Sequence, residues 1–162
     1  MGIGAFMNTN SLTTVTFEPN SKLTIINQEM FSNAASLKTI ELPEGITLIG
    51  MDAFSYTYSL ETINIPSTVK TIAVRAFYEA GALTTITIAK NSQLESIGNY
   101  AFLNTNNLIS IYIPITVTDM GYRIFYFCRS LTIYVAAESL PTTWDVDWNP
   151  SKRPVVWGYV QS

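Results

Sequence analysis

Few residues in this chain are of a kind that does covalent or metal chemistry. Histidine is absent and cysteine occurs once, at Cys128. The missing histidines remove the commonest general base and a favoured zinc ligand, leaving carboxylates, Lys, Tyr, Ser/Thr or a single thiol. A thiol becomes a nucleophile when a neighbouring base or cation activates it, and no histidine is there to do so. Glycoside hydrolysis needs two carboxylates about 5 to 10 Å apart across a cleft. Asp145 and Asp147 are close in sequence, but they sit in a Trp- and Pro-rich tail with no evident cleft. No nucleophile-and-base pair, phosphate loop or metal-ligand spacing is visible. The sequence therefore predicts a chain that is not an enzyme, with no catalytic residue, no metal site and no cofactor.

The elements that would position any functional group are set by repetition. Phe recurs at Phe6, Phe31, Phe54, Phe77, Phe102 and Phe125, and a Leu follows six positions later each time, at Leu12, Leu37, Leu60, Leu83, Leu108 and Leu131. The steps are 25, 23, 23, 25 and 23 residues. Self-similarity at such a period is the signature of a stacked-repeat architecture.

One repeat, "LETINIPSTVKTIAVRAFYEAGAL", shows the physics. Leu60, Ile63 and Ile65 carry the apolar side of a short strand, while Thr62 and Asn64 point the other way. Pro66 stops regular pairing because it lacks an N–H. A second apolar pair, Val69 and Ile72, follows. The spacing of Ala73, Ala76, Phe77 and Ala80 then predicts about two helical turns. Such a unit cannot cover its own apolar face and needs neighbours on both sides.

Aligned by Leu, the inward columns are Val15, Ile40, Ile63, Ile86, Ile111 and then Phe17, Leu42, Ile65, Ile88, Ile113. Three residues beyond each Phe stands a small one: Thr9, Ala34, Thr57, Ala80, Thr105 and Cys128. That column assigns Cys128 a packing role. In another column Glu29 and Asp52 are adjacent, but Arg75 and Arg123 fill the same slot in later repeats. Salt pairing on the solvent face is the expectation there, worth about 0 to 1 kcal/mol.

These residues resemble the BspA-like leucine-rich repeats, whose unit reads approximately "IGxxAFxxCxxLxxIxIPxxVxx". The pattern is seen in "IGMDAFSYTYSLETINIPSTVKT" and "IGNYAFLNTNNLISIYIPITVTD". The Cys of that unit survives only as Cys128, Ala89 replaces the Pro after one strand, and Asn20 and Asn91 alone fall at the spacing of an Asn ladder. The resemblance implies a right-handed α/β, mainly β, repeat solenoid: short parallel strands on one face and short helical turns on the others. Residues 1–135 are then six repeats of 23 to 25 residues, the first truncated, and residues 136–162 a Trp/Pro-rich C-terminal cap. Members of the family are mostly bacterial surface or secreted proteins, several linked to adhesion. A non-enzymatic interaction or adhesion module at the cell surface, with a protein or cell-surface ligand, is therefore expected, and a self-assembling structural element is the alternative.

Composition agrees on what the chain does not bind. Nine basic and twelve acidic residues in 162 give no cluster to neutralise phosphates, so nucleic acid is not expected as a partner. No run approaches the roughly 20 apolar residues of a membrane span. The first 21 residues hold no Lys or Arg, so no signal peptide is read.

Two outward ladders follow from the strand alternation. Thr14, Thr39, Thr62, Thr85, Ser110 and Thr132 suit cross-strand Thr packing. Thr16, Glu41, Asn64, Thr87, Tyr112 and Tyr134 vary from repeat to repeat and form the candidate binding face, with the two tyrosines as anchors. A less favoured site is carbohydrate binding by Trp144, Trp148 and Trp157 with Asp145 and Asp147. At the other end, Met1 takes the slot of Ile26, Ile49, Ile72, Ile97 and Met120, part-way round a repeat. The uncapped N-terminal end is therefore a candidate contact for another copy of the chain.

Overall fold

A computed structural model describes residues 2–161. Met1, placed above in the slot of Ile26, lies outside the described residues. The strands in chain order are β1 (Thr14–Val15), β2 (Ile25–Ile26), β3 (Thr39–Ile40), β4 (Leu48–Ile49), β5 (Thr62–Ile65), β6 (Thr71–Ile72), β7 (Thr85–Ile88), β8 (Ser96–Ile97), β9 (Ser110–Ile113), β10 (Asp119–Met120), β11 (Thr132–Val135) and β12 (Val155–Val156). All pairings are parallel, and each strand pairs with its equivalent in the neighbouring coil. The chain is thus a repeat solenoid, as the Phe and Leu register predicts.

Strands β5, β7, β9, β11 and β12 form one sheet, with β1 and β3 paired at its N-terminal side. The alternation does its expected work here: Ile63, Ile65, Ile86, Ile88, Ile111, Ile113 and Ile133 are buried, whereas Thr62, Asn64, Thr85 and Thr87 face water. The outward Thr ladder is in register, Thr62 opposite Thr85 and Ser110 opposite Thr132.

A second parallel sheet runs β2, β4, β6, β8, β10. It occupies the second apolar segment, where the sequence predicts no sheet. Its strands are two residues long and each buries only its second residue, such as Ile49 or Ile72, which leaves too little alternation to read.

The helical turns are the main correction: the described residues contain no helix. Around Phe77, Arg75 (φ 54°) and Glu79 (φ 55°) are left-handed, which interrupts any right-handed helix. The N–H groups of Ala76, Tyr78 and Ala80 donate three residues back, to Ala73, Arg75 and Phe77. Those of Arg75, Phe77 and Glu79 donate across to Asn99, Ala101 and Leu103 of the next coil, at 3.0, 2.8 and 2.8 Å. Alternate donors therefore close turns and cross-link coils, whereas a helix would satisfy its donors internally. The same left-handed pair recurs at Glu29 and Asn33, Asp52 and Tyr56, Tyr100 and Asn104, and Arg123 and Phe127.

The core is a ladder of phenylalanines. Successive rings from Phe6 to Phe125 stack at centroid distances of 5.2 to 5.7 Å and within 12° of parallel. Trp148 ends the ladder edge-on to Phe125, at 81°. Close coil spacing is also why Gly98 is glycine: a Cβ there would lie 2.6 Å from the Val74 amide nitrogen.

Candidate functional site

The strand face holds a pocket of about 500 Å³ at its C-terminal half. The sheet is open there: β7 and β9 are in register only at Thr85 and Ser110, although β5/β7 and β9/β11 pair over four residues. That junction spans a 25-residue step, and the extra residues fall just after β7, where Ala89 stands in place of Pro.

Of the six predicted face residues, Thr87, Tyr112 and Tyr134 line this pocket. Tyr112 and Tyr134 are cross-strand partners and half-buried. Thr16, Glu41 and Asn64 are exposed on the same side but do not line it.

Two further lining residues, Tyr159 and Gln161, come from the tail. After β12 the chain turns at Gly158 (φ 65°), whose N–H donates to Ala137 O and whose absent Cβ would meet the Glu138 carboxylate at 2.7 Å. This turn carries the Tyr159 ring onto Tyr134, at 4.7 Å, and beside Tyr112, at 6.2 Å. The Gln161 side-chain amide donates to the Ile88 carbonyl at 3.2 Å, at the open edge of β7. In the sequence, Gly158 is the signal that Tyr159 leaves the line of "PVVW".

Among the described residues that line the pocket, none carries a charge. Its polar groups are hydroxyls of Thr87, Ser110, Thr132 and three tyrosines, together with one amide. Burial raises the pKa of the Tyr112 phenol, with a smaller contribution from Tyr159, so it remains a neutral donor at physiological pH. Such a lining suits hydrogen bonding and apolar contact.

The tryptophan site is corrected by burial. Trp144 and Trp148 are buried in a cluster with Trp157, and Trp144 Nε1 donates to Val117 O at 3.1 Å. Trp144 and Trp148 are thus not available to a sugar ring, and Trp157 is half-buried against them. Asp145 accepts the Asp147 N–H at 2.7 Å, and Asp147 pairs with Arg123 at 3.2 Å. Both carboxylates thus have local structural work.

On the turn face, Asp52 and Arg75 form the anticipated pair between coils, with Nε at 2.9 Å and Nη2 at 2.7 Å. Asp52 is not on the solvent face as expected: it is 8% exposed, with both carboxylate oxygens accepting from Arg75. The pair borders a second pocket of about 500 Å³, with Glu29, Tyr56, Tyr78 and Tyr100 around it. These tyrosines stand two after, one after and two before their respective Phe residues. They form no sequence column, and the repeat alignment therefore missed them. Among the described residues, no group of three or more His, Cys, Asp or Glu is arranged to hold a metal, and no helix is long and apolar enough to cross a membrane.

Cys128 is fully buried, and its thiol donates to Phe102 O at 3.0 Å, beside Thr105 Oγ1 at 3.1 Å. Burial pushes its pKa up to about 11, from an ordinary 9.0. The folded state thus holds this proton more tightly than the unfolded chain. The contribution to stability is complete below pH 9 and is lost as pH rises towards 11. Denaturant midpoints from pH 8 to 11 should fall more steeply for the wild type than for Cys128→Thr, which reproduces the Thr57 and Thr105 arrangement. Parallel pH profiles of the two proteins would contradict this.

Comparison with known proteins places this geometry among others of its kind. Residues 1–132 match the model of the BspA type leucine rich repeat region, in six copies. The solved leucine rich repeat protein of T. pallidum is similar over 75% of this chain and 56% of its own, at 23% identity and a TM-score of 0.69. A leucine-rich repeat protein from Bacteroides ovatus covers 98% of this chain and 58% of its own, at 19% identity and a TM-score of 0.58. The pneumococcal vaccine antigen PcpA covers 91% and 45%, at 20% identity and a TM-score of 0.60. The likeness at these identities is one of fold, and the chain spans 45% to 58% of the length of these solved proteins. No curated protein matches the chain.

Proposed function

Since the chain belongs to the BspA type leucine rich repeat family, we propose that it is a non-enzymatic protein-interaction module of a surface-displayed or secreted protein. In this reading residues 136–162 cap the last coil, and the contact face is the outer side of the main sheet. The observation that carries the proposal is the uncharged strand-face pocket walled by Tyr112, Tyr134 and Tyr159. Rigid aromatic side chains with hydroxyl ends anchor protein interfaces at low entropic cost. Thr16, Glu41, Asn64 and Thr87 extend the face beyond the pocket and supply variable contacts. Display outside the cell accords with the family and with a vaccine antigen of the same fold.

The test is saturable binding in a screen of host and cell-surface proteins. Tyr134→Ala and Tyr112→Ala should each weaken the binding found by about tenfold or more, in line with buried aromatic anchors. Unchanged binding by both variants would remove the strand face as the contact surface.

A second reading, self-association through the first coil, is favoured by one feature. Ile3 and Met7 are exposed at 69% and 42%, next to Phe6, which stacks on Phe31 and is only partly buried. A scattering mass that rises with concentration above 18.0 kDa, and that Ile3→Asp returns to it, would support that reading.

A further inference from the structure

We propose that the turn-face pocket is a receptor for the cationic end of a lysine or arginine side chain presented by a protein partner. It is separate from the strand face, on which the function proposed above rests. Three tyrosines, Tyr56, Tyr78 and Tyr100, are among its lining residues. Tyr56 and Tyr78 meet edge-to-face at 5.5 Å, Tyr100 stands in the next coil against Tyr122 at 4.7 Å, and Tyr58 flanks Tyr56 at 6.1 Å. Of the lining tyrosines, Tyr56 remains 36% exposed. Aromatic faces attract cations through the ring quadrupole.

The charges choose the sign of the ligand. Three charged side chains line the pocket: Glu29, Asp52 and Arg75. Arg75 is engaged by both oxygens of Asp52 and cancels it. Among the described residues, Glu29 accepts the neutral amide of Gln28, at 3.0 Å, and has no ion-pair partner. Glu79 does not line the pocket but is near enough to the lining Tyr78, and to Tyr58, to help burial raise their pKa values. At the floor the Ser32 and Ser55 hydroxyls bond to each other at 2.9 Å, and since Ser55 donates to Asp52 O at 3.0 Å, the Ser32 oxygen keeps a lone pair for an incoming N–H. An anionic ligand would face Glu29, and reaching Arg75 would strand the buried Asp52 carboxylate. An apolar ligand would desolvate Glu29 without compensation. An ammonium or guanidinium group meets a free carboxylate and three aromatic rings.

The probes are Nα-acetyl-lysine methylamide, its arginine counterpart, and the norleucine and glutamate counterparts as controls. Each is titrated into the full chain while the ring signals of Tyr56, Tyr78 and Tyr100 are followed by NMR. The cationic probes are expected to shift these signals saturably, with Tyr112, Tyr134 and Tyr159 unmoved. Glu29→Gln should weaken the effect by about threefold and Tyr56→Leu by a similar factor. Resonances elsewhere report whether each variant is folded. Equal shifts by the norleucine or glutamate probe would overturn the proposal, as would silence of the three rings up to the solubility limit of both cationic probes. Failure of the strand-face variants to affect partner binding would leave this result untouched, because the two pockets share no residue.

Discussion

Phe77→Ala is expected to destabilise the protein by about 3 to 5 kcal/mol and to split its unfolding into two transitions. Phe77 is fully buried at the middle of the ring ladder, 5.3 Å from Phe54 at 4° and 5.2 Å from Phe102 at 3°. The void cannot collapse readily. The backbone on either side is tied by the Phe77 N–H to Ala101 O and by the Phe54 N–H to Ala76 O, both at 2.8 Å. In a stacked array each coil contacts only its neighbours, so a weakened interface uncouples what lies on its two sides. Trp144, Trp148 and Trp157 all sit at the C-terminal end and report that end alone. Circular dichroism of the variant should therefore lose its signal at lower urea concentration than tryptophan fluorescence. Coincident transitions at the wild-type midpoint would show that the ladder does not carry the coupling assigned to it.

The residues that made the fold legible are those whose spacing is invariant. Phe and Leu fix the coil length, and the alternation of Ile63, Asn64 and Ile65 fixes which side of β5 is wet. Strand register then follows, because equivalent residues pair. The turns were misread because apolar spacing at Ala76, Phe77 and Ala80 is the same for two helical turns as for a run of left-handed-interrupted turns. The interrupting residues, Glu29, Asp52, Arg75, Tyr100 and Arg123, are not glycines, so their types give no warning. Their strain is sustained by bonds to the next coil, which a single repeat does not contain. The site follows the same division. Tyr112 and Tyr134 were legible from period two, whereas Tyr159 depends on one turn at Gly158 and the turn-face tyrosines meet only after coiling.

Trp144→Ala should cost about 3 to 5 kcal/mol, and the effect should reach the strand face. The indole is 5% exposed, lies 5.1 Å from Trp148 at 74°, and bonds through Nε1 to Val117 O at 3.1 Å. Truncation leaves a cavity and a buried carbonyl without its donor. The adjacent Asp145 N–H, which donates to Met120 O at 2.8 Å, continues the second sheet's bonding beyond β10. Loosening this segment uncovers the last coil around Met120 and Phe125, so the variant should bind a hydrophobic dye and associate at concentrations where the wild type does not. Trp157 packs on both Trp144 and Trp148 and leads directly to Gly158 and Tyr159. The NMR signals of the Tyr159 ring should therefore move towards those of an exposed tyrosine in the same variant, as its contact with Tyr134 is lost. Trp144→Phe keeps much of the buried area while losing the donor, so it should cost about 1 to 3 kcal/mol and keep the Tyr159 signals. If the Ala variant costs no more than the Phe variant, the indole is not what closes the end of the stack. If Tyr159 keeps its environment in the Ala variant, the strand-face pocket is built independently of the tryptophan cluster.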